Sequence, residues 1–204
     1  ASAKADVFVH FSTDYVFGGD KSSPYVESDP VAPINAYGAS KLEGERAALA
    51  NNPRSVILRT AWVYDAAGAN FVRTMLRLAK ARDEIDVVAD QHGCPTFSED
   101  LADAALTIAA QPRSFGVYHC VGGGETTWAG FAEEIFALSR ARGGPSAKVN
   151  RVTTADFPTR AKRPANSRLN CSKLEIDYGV RLRPWPEALA DCIDKIARSG
   201  WSVE

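Results

Sequence analysis

A tyrosine and a lysine with helical spacing are the residues of this sequence best suited to catalysis. Tyr37 and Lys41 are four residues apart, which places both side chains on one face of a helix. An ammonium group beside a phenol favours the phenolate, so the phenol can give its proton to an oxygen that gains negative charge. Ser12 and Thr13 end a strand-like segment upstream, and the Thr13 hydroxyl can hold that oxygen. The set favours carbonyl reduction, although Tyr-x-x-x-Lys alone also fits an ordinary surface helix.

A basic segment further along the chain suggests a second kind of chemistry. Arg160, Lys162, Arg163 and Arg168 lie close together in the sequence. A pyrophosphate needs cations and hydrogen-bond donors, so Arg163 and Arg168 are candidates for binding a nucleoside diphosphate. The alternative is a solvated loop. Residues 122–124 are three glycines, but they lack the Gly-x-x-x-x-Gly-Lys pattern of a phosphate loop and favour a turn before a helix.

The candidate residues lie in a chain whose strand and helix patterns alternate, which predicts an α/β fold. The β-branched, continuously apolar segment at 55–59 is typical of a parallel strand covered on both faces. Ser98 is predicted to be a helix N-cap, a capping sequence at Thr126 and Thr127 precedes another helix, and residues 143–168 are predicted to be loop. The patterns predict strands at 7–11, 55–59, 85–88 and 116–121 and helices at 37–51, 70–81, 98–110, 128–140 and 186–199.

Composition excludes several classes of protein. The 204 residues carry 24 Lys and Arg against 25 Asp and Glu, a net charge of −1, which disfavours a polybasic nucleic-acid binder. No apolar run approaches the roughly 20 residues that cross a bilayer, and no secretory signal is visible. The four cysteines and three histidines are scattered without a ligand pattern for a metal. We therefore expect a cytoplasmic protein with no metal site, no membrane contact and no nucleic-acid partner.

Five segments together resemble the dTDP-4-dehydrorhamnose reductase family of extended short-chain dehydrogenases. They span nearly the whole chain, and the Ser-Thr-Asp-Tyr-Val-Phe segment and the tryptophan 25 residues after Tyr37 are fairly specific to that family. The segments are residues 12–17, 33–41, 59–64, 90–96 and 163–169.

The resemblance implies an α/β fold that is the C-terminal part of a Rossmann-type doubly wound parallel sheet with a small substrate-binding α/β lobe. Residues 1–115 would form the remaining half of the NAD(P)-binding domain, with substrate-lobe insertions, and residues 116–204 mainly the substrate-binding lobe and C-terminal helix. The family's Gly-x-x-Gly-x-x-Gly turn, which binds the dinucleotide pyrophosphate, is not found in these residues. The resemblance therefore implies that the first half of the sheet precedes Ala1.

The resemblance also implies a reaction and its residues. The C4 ketone of dTDP-4-dehydro-L-rhamnose would be reduced to dTDP-L-rhamnose with NADPH, with NADH left open, and Tyr37 would protonate the oxygen. A homodimer, and a metal ion at a subunit contact, are also left open. By position, the catalytic residues would be Thr13, Tyr37 and Lys41, the cofactor-binding residues Phe11, Tyr37 and Lys41, and the substrate-binding residues Thr13, Asp14, Tyr15, Trp62, Arg163 and Arg168.

Alternative interpretations remain at this point. Another nucleotide-sugar reductase or epimerase of the same superfamily fits, although Trp62 and the 12–17 segment argue against an epimerase. A non-catalytic subunit on the same fold is disfavoured because Thr13, Tyr37 and Lys41 are all present. An apolar indole face suits a methyl-bearing deoxysugar, but Trp62 would also fit a protein core, and Asp14 would also fit a turn cap.

Overall fold

The computed structural model describes residues 7–157 and 161–203, so Arg160 of the basic segment lies outside the described residues. Six helices and ten strands alternate along this part of the chain, as the sequence predicts for an α/β protein. The strands are β1 (Phe8–Thr13), β2 (Ser55–Thr60), β3 (Val63–Tyr64), β4 (Glu84–Val88), β5 (His92–Gly93), β6 (Thr96–Phe97), β7 (Gly116–His119), β8 (Thr126–Thr127), β9 (Lys148–Val152) and β10 (Asn166–Ser167). The helices are α1 (Ala36–Asn51), α2 (Phe71–Ala79), α3 (Ser98–Ala110), α4 (Trp128–Ala141), α5 (Ser172–Tyr178) and α6 (Trp185–Arg198).

A parallel sheet in the order β1-β2-β7 forms the first half of the architecture. Every residue of the central strand β2 is buried, as its unbroken apolar sequence predicts for a strand covered on both faces. Val56 and Leu58 pack on α3 and α5 from one side, and α1 lies against β1 and β2. In register, Thr13 pairs with Thr60, so both strands end at the same edge of the sheet.

A second core joins α2, α4 and α6 with the parallel pair β4 and β9. The sequence predicts only loop over residues 143–168, and the structure shows this to be wrong, because β9 and β10 lie there. The alternation of Lys148–Val152 is weak and none of its residues is buried. Its strand conformation follows from pairing with β4, a segment far away in the sequence.

Hydrogen bonds at the helix ends explain where the helices begin. Asn35 accepts from the Gly38 amide at the start of α1, and Thr127 accepts from the Gly130 amide at the start of α4. The predicted N-cap at Ser98 is wrong: Phe97 holds the cap position without a side-chain hydrogen bond. The Ser98 hydroxyl donates to the carboxylate of Asp65 instead.

The two packing units interleave along the chain. β7 and α5 lie beyond residue 115, yet they pack with the parallel sheet. Residues from β3 through β6, before residue 115, contribute Tyr64, Ile85 and Phe97 to the second core. β7 and α5 therefore pack with the parallel sheet, although they follow residue 115 in the sequence. None of the helices in the described part combines the length and apolar character needed to cross a membrane.

Candidate active site

The first turn of α1 brings Tyr37 to the carboxyl end of β1. The Asn35 side chain accepts from the Gly38 amide at 2.8 Å and so fixes where the helix begins. Gly38 lies against the backbone of Tyr15: a Cβ atom at residue 38 would stand 2.1 Å from the Tyr15 carbonyl oxygen. Because only glycine allows this approach, α1 packs unusually close to the segment that follows Thr13.

Lys41 contacts the residue two positions before Thr13, and Tyr37 contacts the residue two positions after it. The Lys41 ammonium donates to the Phe11 carbonyl oxygen at 2.5 Å. The Tyr37 ring, 56% exposed, contacts the Tyr15 ring edge to face at 5.9 Å between centroids. The Tyr15 amide in turn donates to the Thr13 hydroxyl oxygen at 3.2 Å. The structure therefore brings the three predicted catalytic residues to one strand end, with the Phe11 ring exposed beside them.

Asp14 is a buried carboxyl group next to Thr13. The Thr13 hydroxyl donates to one Asp14 oxygen at 3.0 Å. The other oxygen, Oδ2, is buried and has no hydrogen-bond partner among the described residues. Burial raises the pKa of Asp14 to about 6, and the polar side chains of Ser167 and Thr13 oppose that shift. An unpartnered buried acceptor is costly in a protein.

Tyr15 and Arg163 connect this strand end to a cavity. Burial, followed by the charge of Asp14, raises the pKa of Tyr15, whereas the hydrogen-bonding Arg163 side chain lowers it. Arg163 also lines a cavity of about 470 Å³ between α2 and β4. Most of the remaining lining is apolar or aromatic and includes Phe71, Met75, Leu78, Ile85, Trp128 and Phe157. The lining also includes a second cation, Arg82, and two carboxylates, Glu84 and Asp86. The apolar part of the cavity suits an aromatic base, and Arg163 suits an attached phosphate.

Trp62 stacks on another tryptophan. Its ring lies 3.6 Å from that of Trp128 between centroids, with the planes 13° apart. Gly93 lies close to the Nε1–Cζ2 side of the ring, since a Cβ there would stand 2.3 Å from Trp62 Cε2. The backbone of Trp62 is left-handed, with φ of 49°, a strained conformation for a bulky residue that is often found at functional sites. Trp62 is half-buried, so its exposure is intermediate between that of a core residue and that of an open binding surface.

Arg168 contacts the protein itself and is not among the cavity-lining residues. Its guanidinium donates to the Ser22 carbonyl at 2.6 Å, to the Asn166 side chain at 2.8 Å and to Glu125 at 3.0 Å. These contacts tie β10 to the loop after β1. The geometry therefore separates the two predicted pyrophosphate ligands: Arg163 reaches the cavity, whereas Arg168 holds the fold together.

The sequence analysis did not predict a role in the site for two residues, Glu45 and Trp128. Glu45 lies one helical turn after Lys41 on α1, a spacing that is visible in the sequence. The stacking of Trp128 on Trp62 carries no sequence signal, because the two residues are 66 positions apart. Within the described ranges, no cluster of three or more His, Cys, Asp and Glu residues is placed to hold a metal ion.

The sheet and the helix at its carboxyl edge define a Rossmann-type α/β fold of the extended short-chain dehydrogenase class. A family model described as the RmlD substrate binding domain matches residues 1–198, and the chain belongs to that family.

Proteins similar to this chain come from several bacteria. A dTDP-4-dehydrorhamnose reductase of Sinorhizobium fredii is 50% identical over 186 residues, covering 88% of this chain and 63% of the relative. The crystal structure of a dTDP-4-dehydrorhamnose reductase from Clostridium acetobutylicum has a TM-score of 0.88 and 43% identity, covering 94% and 66% of the two chains. That of a dTDP-4-dehydrorhamnose reductase from Bacillus anthracis, in complex with NADP, has a TM-score of 0.87 and 37% identity, covering 93% and 66%. The chain thus spans about two thirds of these relatives' length.

Proposed function

We propose that the protein reduces the C4 ketone of dTDP-4-dehydro-L-rhamnose to dTDP-L-rhamnose with NADPH. The observation that carries the proposal is the meeting of Tyr37, Lys41 and Thr13 at the carboxyl end of β1. Ligands of open α/β sheets bind outside this edge. Relatives at 50% and 43% identity named dTDP-4-dehydrorhamnose reductase support the choice of substrate.

The protein's own residues supply the proton and the oxyanion contacts. A hydride arriving at C4 breaks the C=O π bond and leaves negative charge on the ketone oxygen. Tyr37 gives its hydroxyl proton to that oxygen, and the nearby Lys41 ammonium stabilises the phenolate that remains. To hold the oxygen, the Thr13 hydroxyl turns its one proton from the Asp14 carboxylate to the substrate oxygen. Because Thr13 is buried, it orients the carbonyl without competition from bulk water.

The cofactor part of the site is formed by Phe11, Tyr37 and Lys41. Phe11 and Tyr37 present exposed aromatic surface beside the Lys41 ammonium, which suits a ribose hydroxyl next to a flat nicotinamide ring. Lys41 has three donors, so its bond to the Phe11 carbonyl leaves others for that ribose. When bound, the cofactor supplies the hydride. The NADP complex of the Bacillus anthracis relative favours NADPH over NADH.

The nucleotide sugar would extend from Thr13 into the cavity. Asp14 and Tyr15 directly follow Thr13 and would line the sugar site. The Trp62 ring, stacked on Trp128 on one face, would offer its remaining apolar surface to the methyl group of the deoxysugar. Arg163 binds the pyrophosphate, and the apolar cavity holds the nucleoside. We place this reaction in the cytoplasm, where the four free cysteines remain thiols.

The test is NADPH oxidation by the full-length protein with the dTDP-ketosugar, for wild type and Tyr37→Phe. Loss of a positioned general acid lowers a rate by roughly 10²–10⁴-fold. Binding of NADPH and of dTDP should stay near the wild-type value, because the aromatic ring remains. Wild-type turnover by Tyr37→Phe, or no turnover of this ketosugar by wild type, would refute the proposed function.

A further inference from the structure

A buried ion pair lies directly behind the strand end that carries Thr13. Glu45 on α1 and Arg59 on β2 are 2% and 4% exposed. Arg59 donates through Nε and Nη2 to the two Glu45 oxygens, at 2.9 and 2.7 Å. The Ser12 hydroxyl donates to Glu45 Oε1 at 2.5 Å. One carboxylate on the helix therefore contacts two neighbouring strands at once.

The register of the sheet places these contacts one residue before Thr13. Ser12 pairs with Arg59 in the β1–β2 ladder. On α1, Glu45 follows Lys41 by four residues, so the two side chains share a helix face. Lys41 contacts Phe11 and Glu45 contacts Ser12, consecutive residues of β1. Two side chains of this face of α1 therefore contact the two residues of β1 that precede Thr13.

The chemistry of the pair suits positioning better than stabilisation. A buried ion pair is often no more stabilising than apolar side chains of the same volume. Its value lies in direction: an Arg–carboxylate fork with two parallel bonds fixes both distance and orientation. The neighbouring His119 adds no second cation, because burial, and then the charge of Arg59, lowers its pKa to about 3. Lys41 and His10 also lie near Glu45, and Arg59 is the cation that hydrogen-bonds to it.

Tyr37 depends on such an anchor. Its side chain is largely exposed, and the ring contact found for it in the described part of the chain is the edge of Tyr15. Side-chain packing therefore restrains the phenol weakly, and the position of its hydroxyl follows from the position of α1. Misplacement of a reacting group by about 1 Å can lower a rate by about 100-fold.

We propose that Glu45, held by Arg59 and Ser12, is a positioning residue that fixes α1 so that the Tyr37 hydroxyl and the Lys41 ammonium meet the substrate oxygen held by Thr13. This inference rests on the reductase function proposed above. It assigns Glu45 no contact with substrate or cofactor. Removing the pair should therefore lower the rate of hydride transfer and leave binding almost unchanged.

The experiment uses the full-length protein and a double variant, Glu45→Met with Arg59→Met, which replaces the ion pair by apolar side chains without leaving a lone buried charge. The concentration of folded sites is measured by NADPH binding. Single-turnover oxidation of NADPH with the dTDP-ketosugar then gives the rate of hydride transfer per site. We expect a fall of about 10- to 100-fold in that rate, with dissociation constants for NADPH and dTDP-rhamnose changed by less than about twofold.

Glu133→Gln is the matched control. It removes another two-bond Glu–Arg pair, with Arg151, at 2.8 and 2.6 Å, but this pair is exposed and joins α4 to β9. The rate per site of this variant should equal that of wild type. Ser12→Ala keeps the ion pair and removes only the hydrogen bond from β1 to Glu45. We expect a rate several-fold lower than that of wild type.

The rate per site and the ligand affinities together distinguish a positioning role from a general structural role. A wild-type rate per site in the double variant would overturn the positioning role. Equal losses of rate and of ligand affinity would also overturn it, because they show a general structural effect. If the double variant does not fold, Glu45→Asp, which keeps the charge on a shorter side chain, takes its place under the same criteria. Failure of the reductase function itself would be recognised separately, by an unchanged rate in Tyr37→Phe.

Discussion

Gly38→Ala tests whether the close approach of α1 to Tyr15 sets the geometry for catalysis. The added Cβ would stand 2.1 Å from the Tyr15 carbonyl oxygen and 2.8 Å from its carbonyl carbon. Both are backbone atoms, so no side-chain rotation relieves the contact. The first turn of α1 must move away by at least about 0.9 Å to reach a separation of 3.0 Å. Tyr37 is the preceding residue and moves with that turn.

The magnitude follows from this displacement. A shift of about 1 Å in a reacting group lowers a rate by about 100-fold, so we expect kcat to fall by about one to two orders of magnitude. Forcing extra atoms into a packed contact costs about 1–3 kcal/mol. The alanine recovers up to about 1 kcal/mol through its higher helix propensity. The free energy of unfolding should therefore fall by about 0–3 kcal/mol.

Gly44→Ala on the same helix is the matched control. A Cβ at residue 44 meets the end of the His10 side chain at 3.4 Å, an ordinary contact. We expect this variant to gain about 0.5–1 kcal/mol in unfolding free energy and to keep its kcat. Steady-state NADPH oxidation and urea denaturation measure both quantities. If Gly38→Ala matches Gly44→Ala in rate and stability, the close approach has no part in placing Tyr37.

Three further predictions follow from the site. The pKa of Asp14 is raised to about 6, so the folded state holds a proton that the unfolded state releases, and this contribution to stability is lost as pH rises from about 4 through 6. Asp14→Asn should remove up to about 3 kcal/mol of that pH dependence in urea denaturation. An unchanged pH profile would contradict the assignment. Trp62→Ala should weaken dTDP-rhamnose binding by about fivefold or more in calorimetry, since an aromatic contact of about 1 kcal/mol or more is lost. Unchanged affinity would make Trp62 a packing residue. Arg163→Met should raise the dissociation constant for dTDP by tenfold or more, with little effect on stability. Arg168→Met loses three hydrogen bonds, so it should lower the free energy of unfolding by about 1–3 kcal/mol and leave dTDP binding intact. The reverse pattern would exchange their roles.

Local sequence determined the elements that carry the candidate catalytic groups. The apolar segment of β2 needs no partner to be recognised as a buried parallel strand, and the structure buries all of it. The predicted helix at 37–51 agrees with α1 to within one residue. The spacing of Tyr37 and Lys41 follows from helix geometry alone. For these elements the controlling interactions lie within a few residues, so the sequence was sufficient.

Other elements depend on partners distant in the chain. β9 is a strand because β4 pairs with it, and Ser98 is no N-cap because its hydroxyl contacts Asp65. The stacking of Trp62 on Trp128 and the burial that raises the pKa of Asp14 likewise require the folded chain.

Sequence alone could not separate Arg163 from Arg168, since both are arginines in one basic segment. Only the fold directs one to the cavity and the other to carbonyl and carboxylate oxygens of the protein. Periodicity and capping report what a segment does with its neighbours. Which buried group meets which distant side chain is decided by tertiary packing, and in this protein that packing sets the electrostatics of the site.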